Sequence, residues 1–104
     1  MRNAVYKKII QDCFWDYNMT EEDIIALSQS SDFREQKFLF GKILVNSTQL
    51  LKSMEIFSKK DLERLIIDYR VSAFNHDYIA RRKNMLEYYF LGKPLTINEL
   101  KWVA

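Results

Sequence analysis

At 104 residues, 48% of them hydrophobic and 14% aromatic, with a formal net charge of +2, the chain has material for one hydrophobic core and reads as a single domain over 1–104. Low hydrophobicity combined with high net charge, which marks disorder, is absent. Two glycines (Gly41, Gly92) and one proline (Pro94) are too few turn residues for an all-β fold, so the composition points to helices.

The first predicted helix covers about 3–14, where Val5, Tyr6, Ile9, Ile10 and Cys13 recur at helical spacing. Cys13 is the single cysteine, which excludes an internal disulfide and suits a reducing cytoplasm. Its neighbours Phe14 and Trp15 predict a buried, inert thiol. No apolar run resembles a signal-peptide core or reaches the length of a membrane span, so the expectation is a soluble, cytoplasmic protein.

After the break at Asp16-Tyr17-Asn18, Thr20 caps a second predicted helix, with Asp23 three residues on and Glu21-Glu22 in its first turn. Asp32 with Glu35 opens a third, carrying Phe33, Phe38, Leu39, Phe40, Ile43 and Leu44. Gly41 lies inside it and is expected to serve close packing or a bend, because an interior glycine costs up to ~1 kcal/mol against alanine. A short helix around Leu50, Leu51 and Met54 follows the Asn46-Ser47-Thr48 turn. Ser58 with Asp61 then starts another, bearing Leu62, Leu65, Ile66 and Tyr69.

The strongest predicted element covers 75–91, with Tyr78, Ile79, Met85, Leu86, Tyr89 and Phe90 as one apolar stripe and Arg82 in line with it. Gly92 stands where a C-cap wants a left-handed residue, and Pro94 follows. Thr96 with Glu99 starts a last turn carrying Leu100 and Trp102. The expected architecture is all-α, a compact orthogonal or irregular bundle of about five or six short helices.

The small net charge conceals an asymmetry. Between 16 and 36, six acids (Asp16, Glu21, Glu22, Asp23, Asp32, Glu35) face one base, Arg34. From 69 to 104, six bases (Arg70, Arg81, Arg82, Lys83, Lys93, Lys101) face three acids.

Catalytic apparatus is hard to find. One cysteine and one histidine, His76, do not make a zinc site. There is no glycine-flanked serine elbow, and the glycines lie too far apart to cradle a phosphate. Glu21 and Glu22 point about 100° apart on a helix and read as complement to its dipole. A non-enzyme without metal or cofactor is expected.

Arg70, Arg81, Arg82 and Lys83, with Tyr69, Tyr78, Tyr88 and Tyr89 nearby, mix charge with stacking surface as nucleic-acid sites do. The low net charge favours a plainer reading, a basic solvent face over a buried aromatic stripe. Trp15 and Trp102 likewise read first as core filler and second as binding hot spots.

Three stretches share a layout: Phe14-Trp15-Asp16 before an acidic helix, Phe38 to Leu44 with its Asn46-Ser47-Thr48 turn, and Ser58-Lys59-Lys60-Asp61-Leu62. From about 14 to 91 the chain resembles a group of small helical prokaryotic proteins encoded beside nucleotidyltransferase-like toxins of the abortive-infection kind. It departs from them in a more basic C-terminal helix and in Gly41. The resemblance implies an antitoxin-like or accessory role, with Trp15 and Asp16 as landmarks.

The leading expectation is therefore a non-enzymatic protein-interaction module, an antitoxin-like partner of a nucleotidyltransferase-type protein. The acidic segment with Asp16, Glu21 and Glu22, or exposed aromatics at Trp15 and Trp102, would cover the partner's substrate cleft. The alternative is a small nucleic-acid-binding protein using Arg70, Arg81, Arg82 and Lys83. A homo-oligomer, which needs only an exposed apolar face, is a third possibility.

Overall fold

The computed structural model describes residues 2–71, 73 and 75–94. The predicted last turn at 96–102, with Trp102, lies outside them. Helix α1 (Arg2–Cys13) is followed by α2 (Glu21–Ser28), α3 (Phe33–Asn46), α4 (Leu50–Met54), α5 (Lys59–Asp68) and α6 (His76–Leu91), with no strand among the described residues. This is the expected all-α bundle, and each helix predicted within these residues is present. Its radius of gyration, 13.5 Å, is that of a compact chain of this length.

Side-chain caps fix three of the helix starts. Thr20 Oγ1 accepts from the Asp23 amide at 3.2 Å and the Asp23 carboxylate accepts from the Thr20 amide at 2.9 Å, the capping box its spacing predicts. Asp32 caps α3 by accepting from the Arg34 amide at 2.9 Å, and Ser58 caps α5 by accepting from the Asp61 amide at 3.2 Å. Neither of these closes into a box. Glu35 instead accepts from the Ser30 hydroxyl, and Asp61 accepts from Gln36 Nε2 at 3.0 Å. At the far end, Gly92 takes φ +70° after α6, as its position predicts.

Helix α3 is the hub, packing against each of the other five helices. It buries Gln36, Leu39, Phe40, Ile43 and Leu44, a stripe at i, i+3, i+4, i+7 and i+8. Ile9 and Phe14 from the first helix and its exit, Ile24, Met54, Leu65, Ile66 and Leu86 complete the fully buried apolar set. Each such side chain contributes about 1.5–3 kcal/mol through burial. Gln36 is polar within this stripe and is satisfied there. Its amide donates to Ser28 O and to the Asp61 carboxylate, both at 3.0 Å, tying the end of α2 and the start of α5 to α3.

Gly41 is not required by packing. A Cβ built on it would meet Tyr69 Cε1 at 3.7 Å, an ordinary van der Waals contact, and its backbone is helical. Gly41→Ala is therefore expected to raise stability by about 0.5–1 kcal/mol, read as a higher urea midpoint at unchanged m-value. A loss of stability would show that the Tyr69 ring cannot accommodate a methyl group.

Helix α6 overturns the expected arrangement of its faces. Ile79 and Leu86 are buried and Phe90 is half-buried, but Tyr78, Met85, Tyr88 and Tyr89 are exposed. Arg82, in line with the expected stripe, turns inward, and Lys83 turns inward beside it. The inward face runs through Ile79, Arg82, Lys83, Leu86 and Phe90, a 3.6-residue period that places two long cations over open helix ends. Arg82 donates from Nε to Leu44 O and from its terminal nitrogen to Ser47 O, the carbonyls at the end of α3. Lys83 Nζ donates to Tyr69 O, just past the end of α5, at 2.7 Å. A cation at a helix C-terminus meets both unbonded carbonyls and the negative end of the dipole.

Candidate protein-interaction surface

The exit from α1 turns one aromatic in and the next out. Phe14 continues the helical bonding, its amide donating to Ile10 O at 3.0 Å, and is fully buried. Trp15 follows after the helix has ended and is 77% exposed. Tyr17, whose amide donates to Phe14 O at 2.9 Å, folds back so that its ring meets Phe14 edge-on at 5.4 Å. Phe38, one turn into α3, lies 5.9 Å from Phe14 and 6.5 Å from Tyr17. Lys42 Nζ caps this cluster 4.9 Å from the Tyr17 centroid, a pairing that contributes about 0.5–1 kcal/mol at an exposed site.

Trp15 therefore does not fill the core, contrary to the first expectation. An indole left out by a protein with room for Phe14 is unusual, because exposed tryptophan gives up burial energy. Asp16 beside it is exposed, as is Glu22, while Glu21 is half-buried in the first turn of α2. The acidic and aromatic side chains at Trp15, Asp16, Glu21 and Glu22 thus lie on and beside one connecting turn. Tyr17 and Lys42 are not singled out by sequence, and Phe38, expected in the apolar set of α3, is 43% exposed instead. Phe38 carries a signal nonetheless, for it falls out of phase with the Gln36, Leu39, Phe40, Ile43 stripe.

The basic set named from sequence is divided by the fold. Arg82 and Lys83 are spent on carbonyls of other helices, and the Arg82 guanidinium also sits 5.2 Å from the Tyr78 ring centroid. Burial pulls the Arg82 pKa below its ordinary value, partly offset by Tyr78 and Cys13. Arg81 is half-buried and engaged, and Arg70 is exposed just after α5.

Arg70 instead joins an open groove of about 900 Å³ between α5 and α6. Its lining mixes Ile67, Tyr69 and Val71 with Lys60, Arg64 and Arg70, and Ile67 is 65% exposed. Tyr69 also borders a smaller groove that runs past Gly41 and Val45 to Phe38 and Lys42, so the two surfaces adjoin.

The Cys13 thiol is suppressed as a nucleophile. Cys13 is 3% exposed, and burial together with the nearby Asp12 carboxylate pushes its thiol up to about 12. His76 begins α6 with its Nδ1 3.6 Å from the Asp77 carboxylate. Among the described residues, no three histidine, cysteine or acidic side chains are placed to share a metal ion, and no helix is long and apolar enough to cross a membrane. Comparison with protein-family models, curated proteins and solved structures finds no match.

Proposed function

We propose that this chain is a non-enzymatic protein-interaction module whose contact surface is the patch of Trp15, Tyr17 and Phe38 with the acids at Asp16, Glu21 and Glu22. The observation that carries the reading is the 77% exposure of Trp15 beside a packed aromatic cluster. Tryptophan is among the residue types most enriched at binding hot spots, and a turn held by the Tyr17 amide on Phe14 O presents it. A nucleotidyltransferase-type protein is the partner suggested by the resemblance described above, and an acidic, aromatic turn suits the basic cleft such an enzyme offers an anionic substrate.

The nucleic-acid alternative loses support, because Arg82 and Lys83 already hold backbone carbonyls. Affinity capture from host lysate, with nuclease and with the Trp15→Ala variant alongside, separates the two. The expected result is a stoichiometric protein partner that survives nuclease and binds the variant about 30-fold more weakly, the effect of a hot spot of about 2 kcal/mol. Recovery of nucleic acid that nuclease removes, with no effect of Trp15→Ala, overturns the reading.

A further inference from the structure

The fold leaves two exposed surfaces of opposite character on one molecule. The first is the Trp15–Asp16 turn, an indole 77% exposed and followed by Asp16, Glu21 and Glu22, with no lysine or arginine between 16 and 33. The second is the groove between α5 and α6, whose lining carries Lys60, Arg64 and Arg70 against Glu63 and Asp68, while Lys83 is held by Tyr69 O and Glu87. One of those carboxylates, Asp68, is already answered by Lys37 of α3 at 2.9 Å. Among the described residues Lys60 and Arg70 form no ion pair, so the rim presents uncompensated positive charge.

We infer that the Trp15–Asp16 turn of one copy docks into the α5–α6 groove of a second copy of this chain. The groove's volume, about 900 Å³, lies in the range of roughly 300–1,000 Å³ typical of clefts that take a ligand-sized group. Its lining offers an exposed apolar side chain, Ile67, from which a phosphate backbone would gain nothing. The cations in the same lining ask for a carboxylate next to the apolar group. Trp15 with Asp16 supplies both, in sequence and on the surface. Knob and groove are different surfaces, so the contact is head-to-tail, and each added copy leaves one free turn and one free groove.

This inference gives the proposed contact patch a second occupant, which would compete with the partner named above, and it rests on that reading. It is tested by sedimentation of the full chain. At about 500 µM and roughly 50 mM salt the weight-average mass is expected to exceed that of the monomer, and to fall back in about 0.5 M salt as exposed charge pairs are screened. Trp15→Ala and Arg70→Glu alter exposed side chains, so each is expected to keep its helical circular dichroism and to sediment as a monomer. Mixed together, the two variants are expected to form a 1:1 complex that grows no further, because Trp15→Ala keeps its groove and Arg70→Glu keeps its knob.

A wild-type chain that stays monomeric at low salt overturns the inference, as does either variant associating like wild type. So does a mixture that fails to pair or that grows beyond two copies. None of these outcomes touches the capture experiment. If Trp15→Ala still retains a lysate partner, the wider reading of the patch fails instead.

Discussion

Replacing Arg82 with alanine is expected to lower the stability of the fold by about 3 kcal/mol, and its thermal midpoint by roughly 12–24 °C. Leu44 is fully buried and Ser47 is 2% exposed, so their carbonyls lie where water is largely excluded. The Arg82 fork donates to both, and charge-assisted bonds of this kind contribute about 1.5–3 kcal/mol each. The truncation also removes the guanidinium 5.2 Å from the Tyr78 centroid and detaches α6 from the end of α3. Arg82→Lys is expected to recover less than half of the loss, because one ammonium cannot reproduce a planar fork spanning two carbonyls. Urea unfolding checks the series, with Arg70→Ala as an exposed control expected within about 0.5 kcal/mol of wild type. A cost below about 1 kcal/mol for Arg82→Ala would show that water replaces the guanidinium readily at that junction.

Arg82 also marks where sequence reasoning stops. In α3 the stripe of Leu39, Phe40, Ile43 and Leu44 is apolar and in phase, so local periodicity alone identifies the buried face. The same holds for the Thr20–Asp23 box and for Gly92, whose signals lie within three residues of the feature they produce. In α6 the inward face mixes Ile79 and Leu86 with Arg82 and Lys83, and no local pattern separates a cation that serves a distant helix end from one in solvent. Tyr78 and Tyr89, by their hydrophobicity, are expected inside and lie outside. Hydrophobicity decided that expectation; the partners of the neighbouring cations decide the structure.

The candidate surface divides in the same way. Trp15 is legible as a double-edged residue because tryptophan serves both as core filler and as binding hot spot, but its direction depends on Phe14 taking the core position first. The α5–α6 groove was not legible at all. Its lining comes from two helices and the segment leaving α5, whose arrangement is set by tertiary packing, and Ile67 resembles any other residue of an amphipathic helix until its neighbours are known. Partner choice is further removed still, since specificity is a difference between affinities and resides partly in the other molecule.

Asp12 is expected to account for a distinct acid-sensitive part of the stability. Its side chain is 7% exposed, and its Oδ2 accepts from the Thr48 hydroxyl at 2.6 Å and the Thr48 amide at 3.0 Å, with Lys8 Nζ 3.5 Å from the other oxygen. Burial opposes ionisation, but the two Thr48 bonds and the Lys8 charge together outweigh it and hold the carboxyl below its ordinary value. As pH falls the unfolded chain takes up this proton first. The contribution is thus complete above the ordinary aspartate value of about 3.9 and is lost as pH falls through the depressed folded value. Asp12→Asn is expected to cost about 2 kcal/mol at neutral pH, since it discharges the bonds that fasten the end of α1 to the turn between α3 and α4. Asp32, also lowered through its bonds to Arg34, is unchanged in the variant. The difference between the wild-type and variant stability curves therefore isolates Asp12, and it should shrink as the buffer passes below about pH 4. A difference that stays constant down to pH 3 would assign the acid sensitivity to other carboxylates and leave Thr48 held by a neutral hydrogen bond.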